Sequence, residues 1–173
     1  MEPVMSGTLA ALLIMATATD LRSGRIPNWL TLPTLVVALA VHTWFEGPSG
    51  LIFCLAGSGT GLGIFLLLYI SGCVGAGDVK LMAAIGSIVG AYGALASAFL
   101  AIIVGGLYAI GAMCYQWGFI ETGRKLAFAT YGAFLTGGKV WSQDLQLPFQ
   151  LRYGLAVAGG TLLFISGVHP FRG

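Results

Sequence analysis

Asp20 and Asp78 are the two of six acidic residues in this sequence that a solvated surface does not readily explain. Asp20 follows the uncharged run 3–19, within Ala18-Thr19-Asp20-Leu21-Arg22. Asp78 stands between the uncharged runs 47–77 and 81–120, within Gly75-Ala76-Gly77-Asp78-Val79-Lys80. An ionised group at membrane depth is costly, so a carboxyl kept there needs a reason. Two carboxyls at one depth on different helices can converge on a single water. Close together they do not easily both ionise, and they share a proton. The ionised member then withdraws a proton from water while the other protonates a carbonyl oxygen under attack. That chemistry is hydrolysis, with no call for a metal. Each residue alone also has a structural explanation. Asp78 follows glycine at a helix start, a favoured N-cap setting, and Asp20 can face Arg22 or Arg25. A proton relay or a small non-enzymatic ion transporter would use the same pair without cleaving anything.

The elements that must position these residues are membrane helices. Charged residues are 8% of the 173 positions and hydrophobic ones 57%, too little polar surface for a soluble domain of this length. The uncharged runs 3–19, 26–45, 47–77, 81–120 and 153–171 hold 17, 20, 31, 40 and 19 residues. A helix needs ~20 residues to cross the hydrocarbon. Four runs therefore take one span each and the longest takes two, turning at Gly90-Ala91-Tyr92-Gly93. The expected spans are 4–20, 28–44, 50–71, 79–92, 95–116 and 153–168, the fourth unusually short. The predicted fold is all-α, a polytopic membrane protein of about six transmembrane helices forming one membrane-embedded domain over 1–173.

Basic residues orient it. A cytoplasmic 21–27 loop places Arg22, Arg25, Lys80, Arg124, Lys125, Lys139 and Arg152 inside and only Arg172 outside. Both termini are then extracytoplasmic, and Asp20 and Asp78 share the cytoplasmic boundary. Residues 1–20 contain Ala16-Thr17-Ala18 but no Lys or Arg ahead of the apolar run, which argues against a cleaved signal peptide. Cys54, Cys73 and Cys114 form no CxxC pair, so no zinc site or disulfide framework is indicated. The basic residues sit where topology wants them, and a net charge of +2 gives no sign of a nucleic-acid partner. Gly57, Gly59, Gly61 and Gly63 make two overlapping GxxxG pairs and Gly86 with Gly90 a third, a pattern for close helix packing in lipid. Segment 121–136 has a composition that suits either a helix lying in the cytoplasmic interface or a plain loop. His42 and His169 fall at outer span ends and read as interfacial; Trp29, Trp44, Trp117 and Trp141 suit interface anchors.

The surroundings of both aspartates resemble a known family. Asp20-Leu21-Arg22-Ser23-Gly24-Arg25-Ile26-Pro27-Asn28 resembles the D-x-R-x-x-x-I-P-N segment of type IV prepilin peptidases, the bacterial branch of the intramembrane aspartyl proteases. Gly75-Ala76-Gly77-Asp78, followed by Val79-Lys80, resembles their G-x-G-D motif. Arg152-Tyr153-Gly154-Leu155-Ala156 is similar to their P-Y-G-x-A/L segment, with Arg152 in place of Pro. The resemblance runs over about 20–156. It implies an intramembrane aspartic endopeptidase, without cofactor, that removes the short cytoplasmic leader from prepilins, with Asp20 and Asp78 catalytic. The implied substrate is a pilin precursor, a membrane helix carrying a polar leader. The implied place is the bacterial inner membrane, with the active site at the cytoplasmic face. Larger members carry an added region with paired CxxC motifs and also methylate the new pilin N-terminus. With no CxxC, this chain is similar to the short form of tight-adherence (Flp-type) pili, and N-methyltransferase activity is not expected. Preflagellin peptidases and presenilin-like proteases are alternatives within the G-x-G-D class; six spans and Ile26-Pro27-Asn28 favour the prepilin branch.

Further roles follow from residue type. Gly75 and Gly77 would give the loop before Asp78 unusual backbone angles and room for a substrate strand. Pro27 disfavours helix at Ile26 and separates the first two spans, while Asn28 belongs to the motif without an assigned role. Arg22, Arg25 and Lys80 would meet acidic substrate residues or anionic lipid headgroups. Helix dipoles predict a division of labour. Asp78, at a helix N-terminus, is the resting base; Asp20, at a helix C-terminus, is the resting acid, although Arg22 and Arg25 oppose the latter.

Overall fold

The computed structural model describes residues 2–118, 121–124 and 153–167. The described elements are helices: α1 (Glu2–Ser23), α2 (Asn28–Glu46), α3 (Pro48–Ile70), α4 (Ala76–Trp117) and α5 (Tyr153–Ile165). The first four are long and apolar enough to cross a membrane, and α5 is a shorter apolar helix. The expected turn in the longest run is found as a break in α4, where Gly90 takes φ +75° and ψ −179°. Counting α4 twice, the helices follow the six expected segments, and the molecule is an all-α polytopic membrane protein.

The chain divides into two compact units, one of Met1–Gly105 with Arg152–Gly173 and one of Gly106–Leu151. In the second, residues 121–124 are helical and Arg124 pairs with Glu121 at 3.2 Å. The rest of the expected interfacial helix lies outside the described residues, as do Lys125, Lys139, Trp141, Arg152, His169 and Arg172.

Local chemistry sets the breaks in the first unit. Helix α1 ends at Ser23, Gly24 follows with φ +62°, and Pro27 holds an extended conformation at the N-cap of α2. Pro27 thus separates the first two helices, as its ring geometry requires. Between α2 and α3 a single residue suffices. Gly47 adopts φ +62°, donates its N–H to Thr43 O at 2.9 Å, and hands the chain to Pro48, the first residue of α3.

The first half of α4 is the centre of this unit. Leu81, Met82, Ala84 and Ile85 are fully enclosed, as befits a helix apolar on all sides. Close approach of α3 depends on glycine. Gly57 lies directly on the Gly86 carbonyl, and Gly61 on the backbone of Met82. Gly59 and Gly63, the other GxxxG pair, meet nothing within 4 Å. One expectation is corrected here. His42 is buried, packed against the ring of Phe53 with centroids 5.1 Å apart, because it faces the α2–α3 contact instead of the surface. Trp29 and Trp44, near the two ends of α2, are exposed.

Candidate active site

Asp20 and Asp78 are both buried, at 5% and 8% exposure, although they belong to different helices and stand 58 residues apart in sequence (78 minus 20). They lie within electrostatic reach of each other.

Asp78 is the third residue of α4, not its N-cap. Its Oδ2 accepts the N–H of Gly75 at 3.0 Å, and the Gly75 carbonyl accepts the Asp78 N–H at 3.1 Å. This is half of a capping box, in which the carboxylate of the third helical residue reaches back to the N-cap amide. Asp20 sits in the last turn of α1 and takes its donor from the far end of the chain. The Gly154 N–H, in the first turn of α5, reaches Asp20 Oδ2 at 3.1 Å. Any larger residue at 154 would crowd the acid, since a Cβ there would lie 2.7 Å from that oxygen. Packing of α1 on α5 brings Asp20 to Gly154, and α1 also packs on α2.

The dipole argument therefore loses its asymmetry. Asp20 ends its own helix, but its carboxyl meets the N-terminal, positive end of α5. Each acid accepts a backbone N–H at a helix start, and helix position no longer distinguishes acid from base.

The remaining expected residues divide into two groups. Gly75 and Gly77 adjoin Asp78, and Gly77 is packed against Ile26, whose Cβ stands 3.1 Å from the position of a side chain at 77. Gly75 and Gly77 have no positive φ, so their smallness matters here more than unusual backbone angles. Pro27 and Asn28 begin α2, and Asn28 Oδ1 accepts a hydrogen bond from Lys80 Nζ at 2.8 Å. Arg22 and Arg25 are exposed on the last turn of α1 and the segment after it.

Gly154, Tyr153 and Ile26 join the site without having been singled out for it. Tyr153 stands edge-on to Phe65, with centroids 6.3 Å apart, and within electrostatic reach of Asp78. Their signal was present in the Tyr153-Gly154 and Ile26-Pro27-Asn28 segments, but sequence alone does not say what either touches. Among the described residues no three metal-ligating side chains converge. What the arrangement offers chemically is a pair of enclosed carboxyls, each accepting a backbone N–H at its Oδ2.

Comparison with known proteins places these residues in context. The sequence model of the type IV leader peptidase family matches residues 7–110, which include both aspartates. A prepilin leader peptidase/N-methyltransferase of Burkholderia pseudomallei is 34% identical over 155 residues, covering 86% of this chain and 48% of the relative. A prepilin leader peptidase/N-methyltransferase of Bacillus subtilis is 32% identical over 128 residues, covering 69% of this chain and 48% of the relative. The chain thus spans about half the length of the curated relatives it matches. No solved structure matches it.

Proposed function

The chain belongs to the type IV leader peptidase family, and on that premise we propose that it is an aspartic endopeptidase that removes the short leader from Flp-type prepilins, with Asp20 and Asp78 as its catalytic pair. The observation that carries this reading is that two buried carboxyls from α1 and α4 lie within electrostatic reach of each other, each accepting a backbone N–H. Such a pair holds one proton between its members. The ionised carboxylate takes a proton from water, whose oxygen attacks the scissile carbonyl carbon; the protonated carboxyl gives its proton to the carbonyl oxygen. Collapse of the tetrahedral intermediate reverses these transfers, breaks the C–N bond and sends a proton to the leaving amine. Backbone anchoring keeps the acids in place throughout, as proton transfer over hydrogen-bond distances requires.

The chain acts as one membrane-embedded peptidase domain in the bacterial inner membrane. Its site faces the cytoplasm, the side to which the bias of Arg and Lys assigns the 21–27 and 71–78 segments. The substrate is a pilin precursor whose apolar helix lies beside the spans with its polar leader at the depth of the aspartates. Arg22 and Arg25, exposed beside Asp20, contact leader carboxylates or anionic headgroups. The activity proposed is leader removal without N-methyl transfer. Family membership favours this reading over an ion or proton transporter, which would move charge and cleave nothing.

The test is co-expression with a Flp-type pilin precursor. The expected result is a leader-length loss of mass, without an added methyl group. In Asp20→Asn and Asp78→Asn, cleavage should fall by about 10³-fold or more, since each removes a group that exchanges protons with the reacting atoms. Substantial cleavage by either variant refutes the two-carboxyl mechanism.

A further inference from the structure

The segment between α1 and α2 grips the start of α4 on both sides of Asp78. Ile26, itself buried, is seated against Gly77, one residue before the aspartate. Asn28 is bonded to Lys80, two residues after it, at 2.8 Å. Between these contacts stands Pro27, whose ring restricts its backbone and makes a stiff spacer. At its other end the same segment is tied to α1, because the Gly24 N–H donates to the Asp20 carbonyl at 2.9 Å. A short strap, residues 24–28, therefore has one end on the backbone of each acidic residue or its near neighbours.

We propose that Asn28 and Lys80 are positioning residues, whose hydrogen bond, together with Ile26 on Gly77, holds the first turn of α4 so that Asp78 meets Asp20. The proposal rests on the reading of that pair as catalytic. It gives Asn28 a role and changes that of Lys80, whose ammonium group serves the protein's own strap in place of a lipid headgroup or a substrate carboxylate. Small displacements of a catalytic group carry large rate effects, so losing the contact should lower turnover without altering substrate affinity.

The test uses the full chain in lipid nanodiscs with a purified pilin precursor. Asn28→Ala and Lys80→Ala should each lower kcat about tenfold with KM within about twofold of wild type. The double variant should be no slower than the slower single one, as expected when both remove one interaction. Asn28→Asp, whose carboxylate still accepts from Lys80, should stay within about threefold of wild type. A rise in KM alone on Lys80→Ala, or losses that multiply in the double variant, overturns the proposal. Amide hydrogen exchange reads the strap without any cleavage. Asn28→Ala should speed exchange across 75–80, and unchanged exchange there also overturns the proposal. A wild-type chain that cleaves no precursor overturns the peptidase reading itself, and the exchange result then decides the contact separately.

Discussion

Buried ionisable groups occur near both ends of α2, and the two places are built differently. Near its start, Asp20 and Asp78 come from α1 and α4, and their donors come from α5 and the loop before α4. Near its end, His42 Nδ1 lies 3.8 Å from Glu46, one turn further along the same helix. Among the described residues neither ring nitrogen of His42 has a hydrogen-bond partner. Cys54, buried on α3, donates its thiol to the carbonyls of Ala38 and Ser87. Burial alone therefore does not mark a site in this protein. The His42–Glu46 contact is a neighbour relation that one helix supplies by itself. The aspartate pair needs three helices and a loop to exist, and each of its members is held by a backbone group that side-chain substitution elsewhere does not remove.

That contrast is open to direct attack. Outside the two acids themselves, Gly154→Ala is expected to have the largest effect, because its Cβ would lie 2.7 Å from Asp20 Oδ2 and the carboxyl must shift. Cleavage should fall by about 10- to 100-fold while denaturant unfolding of the purified protein stays within about 1 kcal/mol of wild type. Full activity would detach Asp20 from α5 and end the distinction drawn above. Packing midway between the two places gives an intermediate effect. Gly57→Ala, which meets the Gly86 carbonyl, should destabilise by about 1–3 kcal/mol in an unfolding titration. Gly59→Ala, in open space, should stay within about 0.5 kcal/mol. Equal effects would mean that α3 does not present these two glycines to different surroundings. His42→Leu sharpens the comparison with the smallest change. It removes two buried nitrogens without a hydrogen-bond partner among the described residues, so stability should be unchanged or about 1 kcal/mol higher. Precursor cleavage should also persist, and a tenfold loss would bring the far end of α2 into the mechanism.

Much of this was legible because lipid imposes coarse rules. Charge gaps marked the helices, and Gly90 broke the longest of them where a turn was needed. The two aspartates stood out because few charges compete with them. What escaped was anything requiring knowledge of neighbours distant in sequence. The two GxxxG pairs on α3 are indistinguishable in the sequence, yet Gly57 and Gly61 face α4 and Gly59 and Gly63 do not. Sequence position gives the depth of His42, while its burial depends on which side of α2 turns toward Phe53. The dipole reading of Asp20 counted only the helix that carries it, and the partner that matters begins 133 residues later at Tyr153 (153 minus 20). The glycine before Asp78 suggests an N-cap, but α4 starts at Ala76, which moves the acid into the third helical position.

The dependence of Asp20 on Gly154 has a consequence for biosynthesis. Chains are made from the N-terminus onward, so α1 through α4 enter the bilayer while the amide that orients Asp20 has yet to be translated. The nascent protein passes through most of its assembly with one acid still lacking this anchor. The full surroundings of Asp20 therefore arise late, when α5 packs on α1.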